Sequence, residues 1–279
     1  MKTHHILKVA CADQKGLVYK ITGVLYKNAL NIIQNGEFVD SEKKLFFMRT
    51  EIAGNVEPGR LLKELKNRLP KDAVFHLDER RKKDIVIFAT QEPHCLGDLL
   101  IRHAYGELCA NIQAVVSNHG GLKSLAEKFE IPFHEISYLR KNQSAGEKEI
   151  AGILKKYNPE YLVLAKFMRV LSKEFVAGFR NRIINIHHSF LPAFAGSNPY
   201  RQACDRGVKI IGATAHFVTD ELDKGPIIAQ AVVPVDHSHS VSDMAQAGRD
   251  VEKIVLAKAL KLAFEDRIFV SGNKTILFD

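Results

Sequence analysis

Between Asn185 and Pro226 the chain gathers an amide (Asn185), three imidazoles (His187, His188 and His216) and three carboxylates (Asp220, Glu221 and Asp223). They arrive in three pieces: N-I-H-H-S-F-L-P at 185–192, the apolar run K-I-I-G-A-T-A-H-F-V at 209–218, and T-D-E-L-D-K-G-P at 219–226. Groups with tunable pKa, set on turns between core-forming segments, are what a reaction centre requires. A side-chain amide N–H stabilises an oxyanion, and loss of such a donor costs about 10²–10³ in rate. An imidazole moves protons near neutral pH and contributes about 10²–10⁴. A carboxylate beside it orients the ring, or positions a water and takes its proton. No G-x-S-x-G elbow is present and none of the three pieces contains a cysteine, so the expected reaction is attack of water or an amine on a carbonyl, without an acyl-enzyme. Zinc is the competing reading of the histidines with Asp223. Adjacent histidines point to opposite sides of a strand, however, and neither H-E-x-x-H nor a cysteine cluster completes a ligand set, so no metal is expected.

The elements around these residues decide which of them meet. Asn185 and His187 lie two apart at the end of the apolar run R-I-I-N-I (182–186) and share one side of a strand. Asp223 follows the run that ends near Val218 and sits in a D-K-G-P turn. Open α/β sheets bind ligands beyond the carboxyl ends of their strands. Asn185, His187 and Asp223 are therefore expected to converge from two strand ends. By the same alternation His188 points away and reads as a supporting or packing residue. His216, on an apolar run, reads as a buried histidine or a wall of the site, and Asp220 and Glu221 as turn residues.

Continuous apolar runs at 84–90, 112–117, 161–166, 182–186 and 209–218 predict strands covered on both faces. Helical patterns at 95–105, 120–130, 144–157, 170–179 and 198–206 alternate with them, and a long helix is expected over 241–264. This pattern predicts a doubly wound, mostly parallel α/β domain over 85–279, its sheet finished by a hairpin at 267–278. A charge run near 81–84 marks a linker. Before it, strands at 5–11, 30–39, 44–52 and 73–78 alternate with helices at 17–28 and after Pro58. That order, β-α-β-β-α-β over 1–80, is ferredoxin-like. Asp13 is the expected cap of its first helix, and Gly16 the hinge.

At 279 residues, 46% apolar and 26% charged, the chain has room for two ordinary globular domains. The net charge of +8 suits an anionic partner. The basic block R-R-K-K (80–83) lacks aromatic interleaving and zinc-finger spacing, so no nucleic acid is expected. No apolar run is long enough for a membrane span. The start M-K-T-H-H-I-L-K lacks an export signal, and the four cysteines are scattered, which predicts reduced thiols in a cytoplasmic location.

N-I-H-x-S-x-L-P followed by H-F-V-T-D-E-L-D-x-G-P, with Asp223 thirty-eight residues after Asn185, resembles the folate-dependent formyltransferases. The resemblance covers most of 84–279 and implies that Asn185, His187 and Asp223 are the catalytic set, with Ser189 and His188 supporting. It also implies that L-A-K-F-M-R-V-L (164–171) is the folate-binding stretch. Met168, Arg169, Val170 and Leu171 would then bind substrate, with His216 and Asp220 near the pterin. Transformylases of this family carry a Gly/Ser/Asn-rich loop that cradles a substrate phosphate. Here T-Q-E-P-H-C-L-G-D-L (90–99) stands instead, with an added charge at Glu92 and a missing N–H at Pro93. The acceptor is then expected to be water.

The H-H doublet, the replaced loop and A-G-R-D-V-E-K (247–253) are similar to the deformylase branch, which hydrolyses 10-formyltetrahydrofolate to formate and tetrahydrofolate without a permanently bound cofactor. The segment D-x-x-G-L-V-x-x-I (13–21) resembles ACT domains. That implies a homo-oligomer and an amino-acid effector, methionine or glycine, held near Asp13, Gly16 and Asn31. Two other functions remain open on the sequence: a transformylase with an amine acceptor, and an amino-acid-sensing protein with an inactive catalytic domain.

Overall fold

The computed structural model describes residues 4–138, 143–193 and 199–278. Contacts divide the chain into two compact units. The first comprises residues 4–81 with Glu265–Phe269 and Phe278, and the second Lys82–Phe264 with Val270–Leu277. Glu265–Phe269, expected in the catalytic domain, thus belongs with the N-terminal unit.

The first unit runs β1 (His4–Ala12), α1 (Leu17–Lys27), β2 (Asn31–Asp40), β3 (Leu45–Ala53), α2 (Pro58–Arg68) and β4 (Val74–Glu79). Its antiparallel strands lie in the order β2-β3-β1-β4. Leu17, Ile21, Val24 and Leu25 recur at helical spacing on α1, and Leu61 and Leu65 on α2. All are buried against Leu7, Val9, Met48 and Ile52 of the sheet. The opposite face of β3 is also buried: Phe47 packs edge-on to Phe269 at 5.4 Å, and Arg49 donates to the carbonyls of Glu265 (2.9 Å) and Asp266 (3.2 Å). Asp13 is not the helix cap. Gly16 holds the cap position with φ +86°, and Asp13 instead donates its N–H to the Lys44 carbonyl.

The second unit continues with β5 (Lys83–Ala89), α3 (Pro93–Ala104), β6 (Ala110–Ser117), α4 (Lys123–Glu127), β7 (Phe133–Glu135), α5 (Gln143–Tyr157), β8 (Tyr161–Leu164), α6 (Lys173–Gly178), β9 (Ile183–His187), α7 (Pro199–Arg206), β10 (Ile210–Phe217), β11 (Ile227–Pro234) and α8 (Val241–Phe264). Seven strands form one sheet, ordered β11-β10-β9-β8-β5-β6-β7. The strands from β9 through β7 are parallel, whereas β10 runs antiparallel to both β9 and β11. Val86 and Phe88 of β5 pack with Ile150 and Leu154 of α5, while Ile85 and Ile87 on the opposite face are equally buried. Both faces are therefore covered, as their continuous apolar runs require. The hairpin β12 (Ile268–Ser271) and β13 (Lys274–Leu277) forms a sheet of its own rather than finishing the large one. No described helix is long and apolar enough to cross a membrane.

Candidate functional site

The reversed sense of β10 changes how the site is assembled. Asn185 pairs with His216 across the β9–β10 ladder, and His187 with Thr214. Phe217 at the end of β10 therefore faces Ile184, not the carboxyl end of β9. The two strand ends do not meet at one edge, contrary to the expectation from parallel strands. Asp223 reaches the histidines because the segment 218–226 folds back. Phe217 N–H donates to the Pro226 carbonyl, and a side chain at Gly225 would overlap the Phe217 carbonyl oxygen. Asp223 itself takes φ +56°. Lys166 (+63°) and Met168 (+30°) are also left-handed, strained positions of the kind that cluster at functional sites.

Asn185, His187, His216 and Asp223 make one polar chain. The Asp223 carboxylate stands 3.4 Å from His187 Nδ1 and 3.8 Å from His216 Nε2. His216 Nδ1 lies 2.8 Å from the Phe217 carbonyl, which only accepts, so the proton sits on Nδ1. Burial holds His216 below the ordinary histidine range. In its neutral form Nε2 is then an acceptor for the Asn185 amide N–H at 3.2 Å. His216 thus fixes the amide of Asn185. Burial pulls the Asp223 carboxyl upward, but the hydrogen bond and charge of His187, then His216 and His188, outweigh this and hold it below its usual value. The ring nitrogen of His187 that faces away from Asp223, Nε2, is buried with no partner. A buried polar atom left unsatisfied costs about 1–3 kcal/mol, so this nitrogen is where a reacting group belongs.

His188 packs on His187, ring centroids 5.2 Å apart, and is half-buried. Burial, then the charges of Lys166 and His187, lower it to about 4, so it is neutral at physiological pH. Ser189 is buried. Its carbonyl accepts from Thr214 Oγ1 (2.9 Å), while its own hydroxyl has no partner. Thr214 also accepts from the Leu191 N–H (3.1 Å) and from Gln230 Nε2 (2.9 Å). One donor and two acceptor positions are a hydroxyl's full capacity. Thr214 and Gln230 thus anchor the turn after His187, a role that a threonine in an apolar run does not announce. The 194–198 segment that follows lies outside the described residues.

The other expected site residues are more dispersed. Met168 and Val170 are exposed, and Leu171 is buried. The Val170 carbonyl already accepts from Tyr138 (2.9 Å) and Gln143 (3.2 Å). With the Asn118 amide turned so that its oxygen accepts from Arg169 (3.0 and 3.1 Å), the guanidinium is held in place. Asp220 is exposed, 3.9 Å from Lys173. A cavity of about 590 Å³ is bordered by Met168, Arg169, His188, Lys166, Tyr200 and Glu252 among others, but not by Asn185, His187 or Asp223. Asp223 borders a different cavity of about 500 Å³, with Leu191 and Pro192. The expected folate stretch thus borders the first of these two cavities and Asp223 the second. In the first unit, Asp13, Gly16 and Asn31 are exposed. None of them lines a cavity of about 230 Å³ there, which is bordered by Lys27, Asn28, Asn55, Glu57 and Arg60.

Glu252 on α8 is fully buried, a placement missed in the sequence. It accepts from His94 Nε2 (2.7 Å) and Tyr200 (2.7 Å) and pairs with Lys166 at 3.3 Å. Burial pulls its carboxyl up, yet the His94 hydrogen bond, the Lys166 charge and the Tyr200 hydroxyl bring it down to about 2. His94, Cys95 and Glu252 come close enough to hold a metal ion. Burial pushes the Cys95 thiol far up, however, and Lys166 already supplies the positive charge that Glu252 requires.

Comparison with known proteins places this arrangement in a family. A family model described as Formyl transferase matches residues 83–260. The chain is 54% identical over 272 residues to a formyltetrahydrofolate deformylase of Haemophilus influenzae, covering 98% of each. It is 40% identical to one from Bacillus subtilis, covering 98% of this chain and 93% of that one. The crystal structure of a formyltetrahydrofolate deformylase from Pseudomonas syringae matches with a TM-score of 0.95 and 38% identity, covering 100% of this chain and 95% of the other. A glycinamide ribonucleotide transformylase from Symbiobacterium toebii matches with a TM-score of 0.66 and 30% identity, covering 71% of this chain and 94% of that one.

Proposed function

We propose a division of labour for the residues of this chain, which belongs to the formyl transferase family and, within it, to the formyltetrahydrofolate deformylases. The enzyme hydrolyses 10-formyltetrahydrofolate to formate and tetrahydrofolate. In our reading the Asp223 carboxylate accepts a hydrogen bond from His187 Nδ1–H and leaves Nε2 free to act as base. The observation that carries this is the buried, unpartnered Nε2 of a ring whose Nδ1 stands 3.4 Å from Asp223. The contact is long for a hydrogen bond, and such contacts tighten when substrate binds.

A water placed at His187 Nε2 loses a proton to it as its oxygen attacks the formyl carbon. The carbonyl electrons move onto oxygen, and the second N–H of Asn185 and the new imidazolium stabilise that oxyanion. The C–N bond then breaks as N10 takes the proton from His187. Formate and one proton leave with tetrahydrofolate, so atoms and charge balance. Met168, Arg169, Val170 and Leu171 are proposed to bind the pterin, and His216 to hold the Asn185 amide.

For the N-terminal unit we propose an ACT-type regulatory role, supported by its strand order and the 13–21 motif, with Asp13, Gly16 and Asn31 near a methionine or glycine effector. Homo-oligomerisation, a cytoplasmic location and the supply of formate for purine synthesis complete the proposal. The test is formate release from 10-formyltetrahydrofolate with no amine present, for the wild type and His187→Gln. Release that requires an amine acceptor would support a transformylase instead. An active His187→Gln would remove the imidazole from the chemistry.

A further inference from the structure

The histidine doublet does not end at His188. The ring of His188 packs against Tyr200, centroids 6.0 Å apart, and Tyr200 donates its hydroxyl to Glu252 at 2.7 Å. Tyr200 lies across α8 over Gly248, one turn before Glu252 on the same helix face. A Cβ at Gly248 would overlap the Tyr200 hydroxyl and ring, so only glycine leaves the phenol its seat. Glu252 is itself immobile: it has no exposed surface, and His94 and Lys166 hold its oxygens at 2.7 and 3.3 Å. A fixed carboxylate thus anchors a phenol, the phenol walls one histidine, and that histidine packs on His187.

We propose that Tyr200, seated on Gly248 and tied to Glu252, is a positioning residue that sets the orientation of His187 through the His188 ring. The inference rests on the reading of His187 as the proton-transfer group. Its physical basis is that the 3.4 Å contact of Nδ1 with Asp223 cannot by itself fix a ring. The buried imidazole has this one long polar contact, so packing supplies the rest of its constraint, and the face of the His188 ring is part of that packing. Van der Waals contact of this kind is short-ranged, and a gap of about 0.5–1 Å at Tyr200 forfeits about a quarter to a half of it. A misplacement of about 1 Å in a reacting group costs about a hundredfold in rate. Glu252, His94 and Lys166 do not enter the chemistry in this account. They hold the anchor.

The test uses the full chain, with initial rates of formate release over a range of 10-formyltetrahydrofolate concentrations. Tyr200→Phe keeps the ring and removes the tether. It is expected to lower kcat about tenfold and leave KM within about twofold. Gly248→Ala unseats the ring and is expected to lower kcat about a hundredfold in the same pattern. Circular dichroism and thermal melting establish that each variant is folded, and Tyr200→Phe, the smaller change, decides the matter if Gly248→Ala is not. Wild-type kcat in Tyr200→Phe overturns the inference. So does a rise in KM alone, which would make Tyr200 a substrate contact. His187→Gln measured alongside separates the two readings. If it is inactive while Tyr200→Phe is normal, only the present inference falls; if it is active, both fall.

Discussion

Replacing Asp223 by Asn keeps the shape of the side chain and removes its charge. The magnitude follows from the geometry. At 3.4 Å from His187 Nδ1, an effective dielectric of about 20 gives a gross attraction of about 5 kcal/mol between the carboxylate and an imidazolium. That attraction matters for rate only to the extent that the ring becomes charged on the way to the transition state. An exposure of 15% for the Asp223 side chain discounts it further. The Asn amide also reverses polarity. If its N–H faces Nδ1, the ring proton moves to Nε2, and the base that should accept a proton from water is blocked. A kcat loss of about 10³ is expected, within a range of about 10²–10⁴, with KM little changed. The assay is formate release from 10-formyltetrahydrofolate across pH. Because the folded-state pKa of Asp223 is depressed, the carboxylate is ionised at neutral pH and is lost only as pH falls through that depressed value. Asp223→Asn is therefore expected to lower the rate throughout the neutral range, where the wild-type carboxylate stays charged. A variant within tenfold of wild type, or one impaired only in KM, would refute the role given to the carboxylate.

Other substitutions probe the supports of the site. Thr214→Val is nearly isosteric but removes the three hydrogen bonds of a buried hydroxyl; it should cost about 2–4 kcal/mol of stability by denaturant titration, since the Leu191 N–H loses its acceptor and Gln230 keeps only the Leu191 carbonyl. Gly225→Ala pushes a methyl onto the Phe217 carbonyl, displaces Asp223, and should lower kcat at least tenfold in a protein that remains folded. Glu252→Gln leaves Lys166 buried without its counter-charge and should cost about 3–5 kcal/mol at pH 7. Glu252 is depressed from 4.5 to about 2, so its stabilisation is complete above pH 4.5 and fades as pH falls toward 2. The gap in stability between wild type and Glu252→Gln should close across that window, and a gap independent of pH would contradict the assignment.

How far the sequence reads correctly depends on what each signal encodes. Periodicity carries burial, so the order of the first unit and five of the seven strands of the large sheet are legible, whereas the edge strands β7, three residues long, and β11, half-covered, are not. It carries no strand direction: K-I-I-G-A-T-A-H-F-V is equally apolar in either sense, and the antiparallel placement of β10 follows from its pairings with β9 and β11. The N-I-H and D-x-G-P motifs drew Asn185, His187 and Asp223 together, while the fold-back that joins them depends on a glycine packed against a carbonyl. Glu252 was the harder case. In A-G-R-D-V-E-K it looks like any glutamate on a solvent face, because its partners His94, Lys166 and Tyr200 are distant in sequence. The one local signal was Gly248, an unfavourable residue inside a 24-residue helix, placed one turn before it. Asp13 misleads for the opposite reason: it is a good capping residue, but the left-handed Gly16 takes the cap position.

The buried outer face of β3 has a consequence during synthesis. Phe47 and Arg49 are covered by Glu265–Phe269, yet residues 82–264 must be translated between them. At about 5–20 residues per second, the first unit waits roughly 10–40 s on the ribosome with that face bare. A nascent chain stalled before Glu265 would present an aromatic ring beside a guanidinium that keeps its bond to Gln34 (3.2 Å) but lacks its two carbonyl acceptors, the kind of surface that chaperones engage.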